Sequence, residues 1–354
     1  MKKSLLVLLA LLLCVAAFFT SCASKPEVVT PVTPVEPTEP VEPGTAEQIT
    51  PEQIEPVQPA EPEFVPATLT KTDSRMLWRI DGTDKNGNPS VVYVLGTFHF
   101  ATDDIYPLSD EILDAWNSAD RLVAEISSED QIRFTNEILP AMLVESQQLA
   151  IGRNVIDELS PDNRLFFYNS FTPEQRDLFN SFEPWYLGLS CSSGLVIAMG
   201  MDPANGIDNV LFGMAEDAGR PIEGLDPIEV QVNILRFGDW DEQLVIAEQS
   251  VGELVNIEKT YLNLLYLYQA YVDDDPDAIT AILLEEDEDT AVEDINEVII
   301  RYNDAVYTER NSAWADKIHG YILEGGTTFI YAGTAHFCGM DSVFDIMRER
   351  NYIK

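Results

Sequence analysis

The chain has 354 residues and is 45% hydrophobic, long and apolar enough for one large or two modest domains with a real core, which excludes disorder throughout. Its 61 acidic residues outnumber 21 basic ones, giving a formal net charge of −40. Such a surface repels polyphosphate, so a nucleic-acid partner is excluded; the charge otherwise serves solubility and does not name a substrate.

Lys2 and Lys3 precede an apolar run from Leu5 to Phe19, which ends at Thr20-Ser21-Cys22-Ala23-Ser24. The run is shorter than the ~20 apolar residues a spanning helix needs, and its three-part layout is that of an export signal. Cys22 sits in a segment that resembles a bacterial lipobox, with Phe19 where an aliphatic residue is usual. Residues 1–22 are therefore expected to be a lipoprotein signal peptide, with Cys22 acylated and anchored to the membrane of the bacterial cell envelope, periplasmic or surface-facing. Cys14 leaves with the signal, so Cys191 and Cys338 remain, and one disulfide between them is possible in that compartment.

Residues 23–68 form the next unit, which carries runs such as PVTPVEPTEPVEP and eleven of the 21 prolines between Pro26 and Pro66. Fixed φ, missing amide donors and like-charge repulsion predict a disordered, extended tether. The third unit, residues 69–354, is the folded domain. MLWRI and VVYVLG, joined by DKNGNP, predict a β-hairpin. Ser109 is expected to cap a helix carrying Ile112, Leu113 and Trp116, and RLVAEI (Arg121 to Ile126) to return as a buried strand.

From Glu129 to about Ala198 the pattern is helical, punctuated by Pro140, Pro161, Pro173 and Pro184. A helix from about Asp208 is expected to stop at Gly219 before a strand near Pro221 to Leu225. A second helical block runs from about Ile228 to Leu323 and carries the acidic run Glu285 to Asp289, read as a solvated face. TTFIYAG (Thr327 to Gly333) is a strand, Ser342 to Arg350 a helix, and Tyr352-Ile353 a possible edge strand. The fold class is α/β (α+β): a central sheet built from the N- and C-terminal segments, with large helical insertions.

Two of the chain's 3 histidines share one context, Gly96-Thr97-Phe98-His99-Phe100 and Gly333-Thr334-Ala335-His336-Phe337. Each follows an apolar strand, so each imidazole is delivered beyond a strand's carboxyl end, where open α/β sheets place their ligand crevice. Two imidazoles and a carboxylate make an open metal site with room for water. Glu125 is the candidate third ligand, because it interrupts an apolar strand where an unpaired buried carboxylate is costly. A metal at such a site generates hydroxide near neutral pH and polarises a carbonyl, with Glu125 either ligand or general base.

At this point the domain resembles the TraB/GumN family, which includes the TIKI proteases. The resemblance spans about Leu77 to Lys354 and rests on YVLGTFHF, YPLSDEILDAWNSADRLVAEI, GIDNVLFGMAEDAGRPIEGLD, ERNSAWADKI and IYAGTAHFCGMDSVFDIMRERNY. It implies a divalent-metal-dependent hydrolase, a metalloprotease acting on a peptide or protein substrate, supported by manganese, cobalt or zinc. His99, His336 and Glu125 occupy the metal positions, and Arg310 and Asn311 fall on the functional positions of the late helix, the first suited to an oxyanion and the second to substrate or water. Asp208 is an N-cap or a contact behind the metal ligands. Ile126 and Ser127 stand where relatives often carry Asp, which thins the carboxylate shell. Cys338 reads as a buried thiol before a metal ligand, and His319 as a surface or interface residue. The alternative function is an envelope haem- or metal-binding lipoprotein without catalysis.

Overall fold

The computed structural model describes residues 65–284, 296–339 and 341–354. The expected signal peptide, Cys22, nearly all of the tether and the acidic run at 285–289 lie outside the described residues.

The predicted hairpin is present as β2 (Leu77–Thr83) and β3 (Pro89–Thr97), antiparallel, with Leu77 opposite Leu95 and Thr83 opposite Pro89. A strand the sequence reading did not separate, β1 (Thr68–Lys71), pairs antiparallel with β2. Ser109 caps helix α1 (Asp110–Ser118), its hydroxyl accepting the Ile112 N–H, and buries Ile112 and Trp116. Strand β4 (Arg121–Ala124) follows and ends one residue before Glu125.

The stretch after it is helical, as its prolines and amphipathic pattern predict, and includes α2 (Pro184–Ala198). Next come α3 (Ile207–Ala218), stopped by Gly219 at φ 63°, and β5 (Ile222–Gly224). The second helical block includes α4 (Trp240–Val255), α5 (Ile257–Val272), α6 (Pro276–Leu284) and α7 (Glu309–Glu324). Strand β6 (Gly326–Gly333) and α8 (Val343–Glu349) close the chain, and the expected edge strand is one bridge, Ala67 to Ile353.

The six strands form one mixed sheet in the order β1-β2-β3-β6-β4-β5. β3, β6, β4 and β5 run parallel, so the last strand in sequence is inserted between the third and fourth. That position explains the composition of β6: from Thr328 to Gly333 every residue is buried, as a strand covered on both faces requires. The main core surrounds the sheet, and a second cluster of Val155, Ile156, Leu159, Phe167, Leu187, Cys191 and Val251 is internal to the helical insertions.

Cys191 and Cys338 are both buried and free, so the disulfide that the sequence permitted is not formed. Burial pushes both thiols up to about 12, which leaves Cys338 a protonated thiol. Among the described residues no helix is long and apolar enough to cross a membrane.

Candidate active site at the carboxyl edge of the sheet

The central pair of parallel strands places the two repeated motifs side by side. Thr97 is in register with Gly333 and Gly96 with Ala332, so the motifs leave the same end of the sheet, offset by one residue. Both need a glycine for close approach. A Cβ on Gly96 would lie 2.8 Å from Thr334 Oγ1, and one on Gly333 would lie 3.1 Å from His99 Nε2 and 3.3 Å from Glu125 Oε1. The two remaining parallel strands contribute carboxylates just beyond their ends, Glu125 after β4 and Asp226 after β5. Four adjacent strand ends thus deliver His99, His336, Glu125 and Asp226 to one crevice.

All four side chains are buried, as is Arg310, which reaches them from the first turn of α7. Its guanidinium donates from Nε to Asp226 Oδ2 at 2.7 Å and from Nη2 to Glu125 Oε2 at 2.6 Å. Nη1 donates to the Val306 carbonyl at 3.3 Å and to His336 Nε2 at 3.2 Å. The Val306 carbonyl belongs to a π turn, Asp304–Thr308, that runs directly into α7 and brings that carbonyl to Arg310. The guanidinium also lies 4.6 Å from the Trp314 ring, and Trp314 Nε1 donates to Asp226 Oδ1 at 2.7 Å. Glu125 Oε1 accepts the Gly333 N–H at 3.0 Å, so both carboxylate oxygens are engaged.

Each imidazole is oriented through Nδ1. In His99, Nδ1 donates to Asp208 Oδ2 at 2.8 Å, while Asp208 Oδ1 accepts the Thr97 hydroxyl at 2.8 Å. His99 Nε2 lies 3.8 Å from Glu125 Oε1. In His336, Nδ1 donates to Asn311 Oδ1 at 2.6 Å, because the Asn311 amino group is committed to the Asp341 carbonyl at 2.9 Å. His336 packs against Trp314, ring centroids 4.3 Å apart.

Burial alone would raise the Glu125 carboxyl, but the Arg310 charge and then the two imidazoles more than offset it, bringing the group down to about 2. For Asp208, burial is likewise outweighed by His99 and by hydrogen bonds from His99 and Thr97, which leave it below the usual carboxylate range. The Arg310 guanidinium, between two carboxylates, stays charged at any working pH.

Two hollows flank His99. One is lined by Ala124, Glu125, Ile126, Gln131, Asp208, Asn209 and Tyr331. The other is more apolar, with Phe98, Leu267, Ile279, Leu283, Thr334 and Ala335 beside His336.

The expected residues therefore meet in one place: His99, His336, Glu125, Arg310, Asn311 and Asp208. Their connections differ in part from the expectation. Asp208 does not cap α3, a role taken by Gly206; it lies two residues further and bonds His99 instead. Arg310 is internal and turned toward Glu125 and Asp226, and Asn311 holds His336 and the Asp341 carbonyl. Among the described residues no three His, Cys, Asp or Glu side chains are placed to hold a metal ion together. The donor types suit a cation, and each Nδ1 bond is the kind that orients a metal-binding imidazole. The arrangement does not suit one, because Arg310 already occupies Glu125 Oε2 and His336 Nε2 with a positive charge of its own. His319 is partly buried and stacks on Tyr352 at 3.9 Å, away from this network.

Two residues were missed from the sequence. Asp226 reads as a turn residue before Pro227, and its only sequence signal is a carboxylate just past an apolar strand, the same signal that found Glu125. Tyr331 reads as one more apolar member of β6 and carries no signal at all.

A family model described as the TraB/PrgY/gumN family matches residues 76–354. An uncharacterized protein of Treponema pallidum (strain Nichols) is 29% identical over 287 residues, which cover 81% of this chain and 84% of that protein. No solved structure matches significantly.

Proposed function

The chain belongs to the TraB/PrgY/gumN family, and from that premise we propose that it is a hydrolase of the bacterial cell envelope that cleaves an amide or ester bond in a peptide or protein substrate. The observation that carries this reading is the convergence of two oriented imidazoles, a buried carboxylate and a guanidinium at four parallel strand ends, between two hollows.

In this reading His99 is the proton acceptor for an attacking water. The Asp208 carboxylate fixes its tautomer through Nδ1 and stabilises the positive charge the ring gains, as an aspartate does behind a catalytic histidine. Glu125 is the less suited base, since both of its oxygens are engaged; its place 3.8 Å from His99 Nε2 favours the protonated ring electrostatically. Arg310 contributes fixed positive charge beside the crevice, where charge develops on a cleaved carbonyl, and Asn311 sets the orientation of His336.

A second reading is favoured by one observation, that both imidazoles are bonded through Nδ1 and turn their Nε2 edges toward the Glu125–Arg310 pair. Here His99, His336 and Glu125 would be the residues to hold a manganese, cobalt or zinc ion, but only if Arg310 were displaced from Glu125 and His336, and the ion would supply Lewis acidity and an acidified water.

Cys22 is the proposed lipid anchor, with residues 23–68 as the tether that lets the domain reach substrates at the envelope. The test is digestion of a peptide library by the chelated domain, with and without manganese, cobalt or zinc added back. Cleavage abolished by His99→Ala and by Glu125→Ala is the expected result. Cleavage without added metal favours the first reading, and strict dependence on metal the second. No cleavage under any condition overturns both. Haem binding that survives Glu125→Ala, in the absence of cleavage, identifies a cofactor-binding protein instead.

A further inference from the structure

Tyr331 lies in the middle of the most buried strand and is 2% exposed, yet its hydroxyl has no hydrogen-bond partner among the described residues. A buried hydroxyl left unpaired is destabilising, and phenylalanine would fill the same space without that cost. The side chain lines the hollow beside His99, together with Gln131 and Asn209. Two residues further along β6, and so on the same face of the strand, Gly333 abuts His99 Nε2 and Glu125. The orphan donor therefore belongs to a side chain that joins the core to the lining of the site.

We infer that Tyr331 is a substrate-contacting residue whose hydroxyl donates to a neutral backbone carbonyl of a peptide bound across His99. The inference rests on the proposed hydrolase reading for the reaction, but not for the contact itself. The phenol is a donor at working pH, since burial and the nearby Asp208 both raise its pKa. A carbonyl is favoured over a carboxylate because Glu125 and Asp208 line the same hollow and repel a second negative charge. A neutral carbonyl there means the interior of a peptide chain, not its free carboxyl end. On the other side of His99, Phe98, Leu267, Ile279 and Leu283 offer an apolar wall, so the substrate class is an internal peptide segment with an apolar side chain next to the scissile bond.

The probe is an equimolar library of N-acetylated, C-amidated tetrapeptides, added to protein labelled with carbon-13 at the tyrosine ring Cζ. One tyrosine resonance that is missing from Tyr331→Phe is expected to shift on addition. Tyr331→Phe is expected to bind the library 5- to 10-fold more weakly, to raise KM by the same factor with kcat within twofold, and to keep or increase the thermal midpoint. The same library with free carboxyl ends is expected to bind wild-type protein more weakly than the amidated one. Cleavage with unchanged KM in Tyr331→Phe overturns this inference and leaves the hydrolase standing. Tyr331-dependent binding without cleavage does the reverse. If the Tyr331 resonance does not move, the contact is refuted whatever the enzyme does.

Discussion

Glu125 and Glu253 are the same residue type in two parts of one molecule, and their carboxyls are shifted in opposite directions although burial raises both. At the strand ends, Glu125 Oε1 takes a backbone N–H and Oε2 takes Arg310, and the carboxyl falls to about 2. On α4, within the helical insertions, Glu253 Oε2 is enclosed with no partner among the described residues, and burial alone pushes its carboxyl up to about 8. Desolvation opposes the charge in both places, so the presence of a cation decides the sign. The strand ends accumulate charge because each carboxylate is answered by Arg310, an imidazole or a backbone donor. Among the described residues the insertions have no such answer beside Glu253.

The sharpest way to break that contrast is Arg310→Met. It removes the charge from between Glu125 and Asp226 while keeping an unbranched stem against Trp314. Breaking a buried pair from one side costs about 3–5 kcal/mol, and here two carboxylates lose their partner. Denaturant unfolding at pH 7 is expected to show a loss of that size. The sign with pH follows from Glu125: its folded value lies below the ordinary 4.5, so the stability it supplies is present above 4.5 and fades as pH falls toward 2. The deficit of Arg310→Met should therefore shrink in acid. A loss below about 1 kcal/mol at pH 7 would mean that the guanidinium is not what compensates Glu125.

Within the site, the repeated motifs give a finer comparison. His99 is backed by a carboxylate and His336 by an amide. If His99 is the proton acceptor, Asp208→Asn removes the charge that favours its protonated form and is expected to lower kcat about 100-fold, with KM little changed. Asn311→Ala only loosens the orientation of His336 and is expected to cost about 10-fold. Steady-state rates on a cleaved library peptide measure both, with circular dichroism to confirm folding. Equal losses would make the two motifs interchangeable, as a shared cation would.

The sequence carried much of this architecture for physical reasons. Two Gly-Thr-x-His-Phe repeats after apolar strands announced two equivalent strand ends, and Glu125 stood out because a carboxylate at the end of RLVAEI must meet a partner. Ser109 and Gly219 marked helix ends through local chemistry that acts within a few residues. What stayed hidden depends on distance. Asp226 meets Arg310 and Trp314 across 84 and 88 residues, and nothing local distinguishes it from an ordinary turn aspartate. Likewise, the place of Arg310 inside the expected metal centre follows from how α7 crosses the strand ends, which no motif encodes.

The smallest effect tests the other half of the contrast. Because the folded value of Glu253 is raised from 4.5 to about 8, the folded protein retains a proton there that the unfolded chain has lost between those values. Stability is then intact below pH 4.5 and declines as pH rises to about 8, the opposite direction to Glu125. Glu253→Gln keeps the shape and removes the titration. Its thermal midpoint is expected to match wild type at pH 5 and to exceed it at pH 9 by a few degrees, about 1 kcal/mol for a domain of this size. A difference that does not change with pH would show that the carboxyl titrates as an exposed group. The contrast would then rest on Glu125 alone, whose carboxyl is held down by Arg310 against its own burial.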